Sequence, residues 1–131
     1  MDWTNFTHKE PITRFIFSKS HYSSEKSKVK YGAFVPPKPN PKISVFRIRR
    51  LSQLQIWSIA EKLISPNRPS SLKARGDLTV GNVFELNLDF IPDIGTHHRH
   101  ANISSWPDSR DEVVQLAGEL AHRAILHLFN A

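Results

Sequence analysis

Apolar and polar positions along the 131-residue chain follow two different periods, and the switches between them mark the predicted elements. Ser52 stands three residues before Gln55, with Leu51 and Ile56 on either side, which is a capping box framed by a hydrophobic staple. The apolar positions that follow are Ile56, Ile59, Ala60 and Leu63, with Trp57 alongside, and they predict an amphipathic helix that Pro66 stops. Ser109 and Glu112 form a second box. Val113, Ala117, Leu120, Ala121, Ala124 and Leu128 extend the expected stripe of that helix to Phe129. The cleanest period-two run is Phe84, Leu86, Leu88 and Phe90, alternating with Glu85, Asn87 and Asp89. It predicts a strand over 83–91, with 72–80 as its antiparallel partner through a Gly81-Asn82 turn.

Shorter apolar segments at 14–17, 29–35, 43–48 and 98–104 read as strands. Pro36, Pro37, Pro39 and Pro41 remove four amide donors, so that run reads as a stiff hairpin loop. Residues 21–30 and 65–71 are polar and aperiodic and read as loops, and residues 1–11 read as a loosely attached arm. The predicted order is βββ-α-βββ-α. It describes an α+β fold with a mainly antiparallel sheet packed by two amphipathic helices.

Length is consistent with one domain over 1–131. The chain has no cysteine, which removes disulfides and thiolate metal sites from consideration. Its start lacks a basic segment followed by an apolar core, and no apolar run approaches the ~20 residues of a membrane span, so a cytoplasmic protein is expected. The net charge of +6 is uneven: residues 1–65 hold twelve Lys/Arg against four Asp/Glu, and residues 66–131 hold six against eight. A basic half of this kind attracts polyanions.

Candidate chemistry concentrates at His97-His98-Arg99-His100, which holds three of the seven histidines. On a strand over 98–104, His98 and His100 would share a face with Asn102 and Ser104, and Arg99 would fall opposite with Ala101 and Ile103. Three uses stay open. His98 and His100 could ligate a zinc ion, with a third ligand from His21, Asp93, Asp108 or a helix histidine. They could serve as acid and base in phosphodiester chemistry, since imidazole exchanges protons near neutral pH. They could also be structural, or bind an anion passively with Arg99. No cofactor is required by any motif, and the phosphate-binding loops, nucleophile elbows and zinc-protease motifs of familiar enzymes are absent.

Phosphate or nucleic-acid contacts are expected from Arg14, His21, Lys26, Lys28 and Lys30, which interleave with Phe15, Phe17, Tyr22 and Tyr31. Arg47, Arg49 and Arg50 precede a capped helix, where arginines and free amides can cradle a phosphate. Arg75 joins this set, although Arg75 and Asp77 would share a strand face and could pair, with Gly76 marking a bulge or a close backbone approach.

The strings FIFSKSHYS, ISVFRIRRLS and HHRHANISSWP resemble those of small bacterial proteins of similar length to which no activity is attached. The resemblance covers most of the chain and implies a stand-alone bacterial domain. It assigns no residue a role. The function expected from the residues is binding of a polyanion, RNA, DNA or a nucleotide, with histidine-assisted phosphodiester chemistry as an extension. The alternative is a non-catalytic interaction module whose basic face meets an acidic protein partner, and no membrane association is expected in either case.

Overall fold

A computed structural model describes residues 2–130. The strands are β1 (Pro11–Ile16), β2 (Tyr22–Ser23), β3 (Lys28–Val29), β4 (Ile43–Arg47), β5 (Ala74–Thr79), β6 (Asp89–Pro92), β7 (His100–Ser104) and β8 (Ile125–Leu128). The helices are α1 (Gln53–Leu63), α2 (Val80–Glu85) and α3 (Arg110–Arg123). Six strands form one antiparallel sheet in the order β6-β7-β4-β1-β5-β8, and β2 and β3 form a separate small hairpin. The fold is α+β.

Alternation along the strands gives the sheet two working faces. Ile12, Ile16, Ile43, Val45, Ala74, Leu78, Ala101 and Ile103 turn to one side and meet Val113, Ala117, Leu120 and Ala121 of α3, together with Val80 and Val83 of α2. Phe15, Phe17, Phe46, Ile48 and Leu72 turn to the other side and meet Ile56 and Ala60 of α1. Ser52 caps α1 with the expected reciprocal bonds to Gln55, and Ser109 accepts from the Glu112 amide at the start of α3.

Three expectations about the elements are corrected. The run at 83–91 is not one strand. Thr79 and Asn82 make a capping box that starts α2, so Gly81-Asn82 lies inside a helix rather than in a hairpin turn. Asn87 then adopts a left-handed φ of 59°, and only Asp89–Pro92 pairs as strand, with β7. Local capping outweighs the period-two pattern, and β5 pairs with β1 and β8 instead. The last helix stops at Arg123, because Ile125–Leu128 satisfies the open edge of β5 as β8. Only Val29 of the 29–35 segment pairs as strand; Tyr31–Phe34 is a 3-10 turn that buries Ala33 and Phe34.

Of the segment expected to be a loose arm, residues 3–10 are packed on the sheet. Arg47, fully buried, forms a bidentate ion pair with Glu10, and its remaining donors reach the carbonyls of Trp3 and Asn5. Phe6 packs edge-on against Phe90, with centroids 5.1 Å apart. These contacts fix residues 3–10 against β4 and β6. The polar 21–30 segment likewise contains the β2–β3 hairpin, where Val29 is buried.

Candidate functional site

The sheet is incomplete between β1 and β4. These strands pair at Ile12–Arg47 and Thr13–Phe46, whereas β1 pairs with β5 over six positions. Arg14 occupies the divergence: its Nε donates to the Ala33 carbonyl at 2.9 Å and its Nη1 to the Ser44 carbonyl at 3.1 Å. Beside it opens a cavity of about 310 Å³ between the sheet and the C-terminal end of α1. Phe15, Phe17, Phe46, Leu63 and Ile64 supply apolar walls, and Arg14, Arg68, Ser44, Thr96, His97 and His100 supply the polar groups. A smaller recess shares Arg14, Phe15, Phe17 and Arg68 with this cavity and adds His21.

Electrostatically the site is cationic. Among the described residues, Arg14 has no carboxylate within ion-pair distance, and both of its hydrogen-bond partners are neutral carbonyls. Burial, followed by the positive charge of Arg68, pushes its guanidinium down to about 10, so it remains charged at neutral pH. Arg68 lies over the Phe17 ring at 4.9 Å. Partial burial holds His97 below the ordinary imidazole range, and the charges of His98, Arg99 and His100 add to the effect. Burial and then Arg14 lower His21 in the same direction.

His100 is buried and fully engaged. Its ring packs against Phe46, with centroids 5.3 Å apart. Nδ1 lies 3.1 Å from Asp93 Oδ2, and Nε2 lies 3.0 Å from Ser44 Oγ. A carboxylate only accepts, so in the neutral ring the Nδ1–H donates to Asp93 and Nε2 accepts from the Ser44 hydroxyl. Asp93 is itself fixed: its amide donates to the His100 carbonyl at 2.8 Å, and Thr96 Oγ1 donates to Oδ2 at 3.0 Å.

The four-residue cluster is therefore divided differently from the strand-parity expectation. His100, Asn102 and Ser104 do alternate with Ala101 and Ile103, but the strand begins only at His100. Residues 97–100 close a turn in which the His100 amide donates to the His97 carbonyl at 2.9 Å. Consequently His97, not His98, shares the cavity with His100. His98 stacks on His97 and packs against Trp3, with centroids 4.3 and 5.0 Å away. Pairing His98 with His100 as a catalytic or metal-ligating unit is corrected on this ground. Among the described residues no three or more His, Asp or Glu side chains group so as to hold a metal ion.

The arginines nominated from sequence also separate. Arg47 is engaged by Glu10 and two carbonyls, and Arg75 by Asp77 and Gln53 against the Trp57 ring through Nε and Nη2, with both arginines fully buried. Arg99 donates to the Arg47 and Arg49 carbonyls and lies over Trp3 at 4.7 Å, and Arg49 flanks Trp3 at 4.9 Å with Glu10 3.9 Å away. Arg47, Arg49 and Arg99 gather around Trp3 of the N-terminal segment, and Arg75 faces Gln53 and Trp57 of α1. Arg50 is exposed in the turn before α1. Lys26, Lys28 and Lys30 are exposed on the β2–β3 hairpin, and Lys28 and Lys30 line a different hollow with Tyr31 and His122. Of the residues nominated for phosphate contact, Arg14 lines the cationic cavity and its side recess, and His21 lines the recess.

Sequence reasoning did not nominate Ser44 or Arg68, and it weighed Asp93 only as a metal ligand. The sole local trace of Ser44 is a small polar residue at the parity of Phe46, between the apolar Ile43 and Val45. Comparison with known protein families, curated proteins and solved structures gives no match.

Proposed function

We propose that the cavity binds a small phosphate ester carrying a flat apolar body, the chemistry of a nucleotide or an aryl phosphate. The observation that carries this reading is Arg14, a partly buried guanidinium compensated by no carboxylate among the described residues and bordering an aromatic-walled cavity. An uncompensated charge out of water is costly, and an anion that pairs with it recovers that cost on binding. Arg68 adds a second cation, while Phe15, Phe17 and Phe46 offer surface to the apolar part. The volume lies at the small end of small-molecule sites, roughly 300–1,000 Å³. It suits one nucleotide-sized ligand better than a polymer, and the nominated basic residues do not form one continuous stripe.

Calorimetric titration with phenyl phosphate and with adenosine monophosphate tests the reading. Arg14→Met and Arg68→Met should each weaken binding at least about tenfold, the effect of losing one charge-assisted contact. Arg68 is exposed, so its variant keeps the test valid even if Arg14→Met folds poorly. The triple variant Lys26→Ala/Lys28→Ala/Lys30→Ala should bind both ligands unchanged. If neither ligand binds and RNA binding depends instead on the three lysines, the hairpin is the polyanion surface and the cavity reading fails. Binding of an acidic protein through those lysines, with no small-ligand binding, would favour an interaction module.

A further inference from the structure

The same cavity presents a second constellation that anion binding does not use. Ser44 Oγ, His100 and Asp93 form a continuous hydrogen-bonded chain at 3.0 and 3.1 Å, in which the carboxylate fixes the tautomer that leaves Nε2 free to take the serine proton. This is the nucleophile–base–orienting-acid arrangement that activates a hydroxyl irrespective of fold. Three further features distinguish it from an incidental set of polar contacts. Ser44 is exposed while His100 is buried, so the nucleophile faces the solvent side and the base is sheltered. Both side chains line the cavity. Arg14, whose Nη1 holds the Ser44 carbonyl, places a guanidinium with no carboxylate partner among the described residues beside the nucleophile's own backbone. Such a cation can stabilise a developing oxyanion.

We infer that Ser44, His100 and Asp93 constitute a serine-hydrolase site acting on small carboxylic esters. The inference shares its cavity with the anion-binding reading and rests on it only for the preference for esters that also carry an anionic group. In the first half-reaction Ser44 Oγ attacks the carbonyl carbon and His100 Nε2 takes the hydroxyl proton. The bond from that carbon to the alkoxy oxygen then breaks, and the departing alcohol receives the proton back from Nε2. In the second half-reaction water attacks the Ser44 ester while Nε2 removes its proton. The carbon–Oγ bond breaks, Oγ recovers the proton from His100, and the carboxylic acid leaves. Ser44 and His100 are the catalytic residues. Asp93 is a positioning residue, since it acts through the imidazole.

Turnover of neutral 4-nitrophenyl acetate and of the anionic mono-4-nitrophenyl ester of succinic acid tests the inference, together with mass spectrometry after exposure to a fluorophosphonate. The expected result is a single adduct on Ser44 and loss of about 100-fold or more in kcat/KM for Ser44→Ala and for His100→Gln. Ser44 is exposed, so Ser44→Ala tests the chemistry even if His100→Gln disturbs folding. Asp93→Asn should lower kcat with KM little changed, and Asp93→Glu should recover part of it, a pattern that loss of packing does not produce. His98→Ala should leave turnover intact. Labelling at another serine, absence of any adduct, or ester turnover in Ser44→Ala equal to that of the unaltered protein would each overturn the site. If phenyl phosphate fails to bind while the neutral ester is still turned over at Ser44, the anion reading falls and the hydrolase site stands. If phenyl phosphate binds and neither ester reacts, the reverse holds.

Discussion

Removing the charge of Glu10 while keeping its shape isolates the interaction that fastens the N-terminal segment to the sheet. In Glu10→Gln, Arg47 keeps the carbonyls of Trp3 and Asn5 and at most one neutral amide oxygen, but loses the negative charge and the second acceptor of a bidentate pair. Arg47 has no exposed surface and the Glu10 side chain is 3% exposed, so water cannot replace the lost partner without opening the segment. Breaking a buried pair from one side costs about 3–5 kcal/mol, because the remaining ion stays buried and uncompensated. For a chain of 131 residues, an unfolding entropy of roughly 2.1 cal/mol/K per residue converts that cost into a fall in Tm of about 11–18 °C.

Scanning calorimetry and urea titration of Glu10→Gln, Arg47→Met and Glu10→Leu/Arg47→Met supply the test. The double variant should be more stable than the sum of the single losses predicts, since it leaves no lone buried charge. A loss below about 1 kcal/mol for Glu10→Gln would place the pair among solvent-screened surface bridges. It would refute the argument that residues 3–10 are docked.

Two other perturbations probe different parts of the fold. A Cβ added at Gly76 would lie 3.0 Å from Val29 Cγ2 and 3.3 Å from Ala124 Cβ. Gly76→Ala should therefore cost about 1–3 kcal/mol by overpacking, with a smaller added cost in a Val29→Ala background, and an unchanged urea midpoint would show that the hairpin yields freely. Partial burial, with positive neighbours, keeps the folded-state affinities of His97 and His21 for protons below the ordinary value of 6.5. The unfolded chain then binds more protons, so stability is retained above about pH 6.5 and declines as pH falls through the lowered folded values. Between pH 7.5 and 5.0, the unaltered protein should lose more stability than His21→Gln/His97→Gln, as read from urea midpoints, and parallel losses would contradict the assignment.

Features governed by contacts three or four residues apart were legible from the chain. The Ser52–Gln55 box, the Ile56 and Ala60 contacts of α1 and the start of α3 at Ser109 depend on such local contacts and are present, although Leu63 of the expected stripe is exposed and at Ser109 the described bond is the Glu112 amide to the serine side chain. The misread segments are those in which two local patterns compete. Residues 83–90 satisfy strand alternation, yet Val80 and Val83 also share a helical face, and the Thr79–Asn82 cap with the left-handed Asn87 decides between them. Residues 125–128 continue the α3 stripe in sequence, but pairing with the β5 edge is a long-range gain that no window of the chain displays.

The site is harder to read for the same reason, taken further. Ser44, Asp93 and His100 come from the second residue of one strand, the residue just after another and the first residue of a third. Their convergence depends on Ser44 standing opposite Asn102 and Phe46 opposite His100 in the β4–β7 register, with β6 bringing Asp93 alongside. The histidine cluster did draw attention to the neighbourhood of the cavity, because His97 and His100 both line it. Parity misassigned the partner because it assumed that the strand extends back to residue 98. The turn that ends at His100 rotates His97 toward Phe46 and leaves His98 on Trp3. The buried arginines complete the same logic. Arg47 has Glu10 and Arg75 has Asp77 two residues along its own strand, whereas Arg14 has only carbonyls among the described residues, so compensation of charge by the fold separates Arg47 and Arg75 from Arg14.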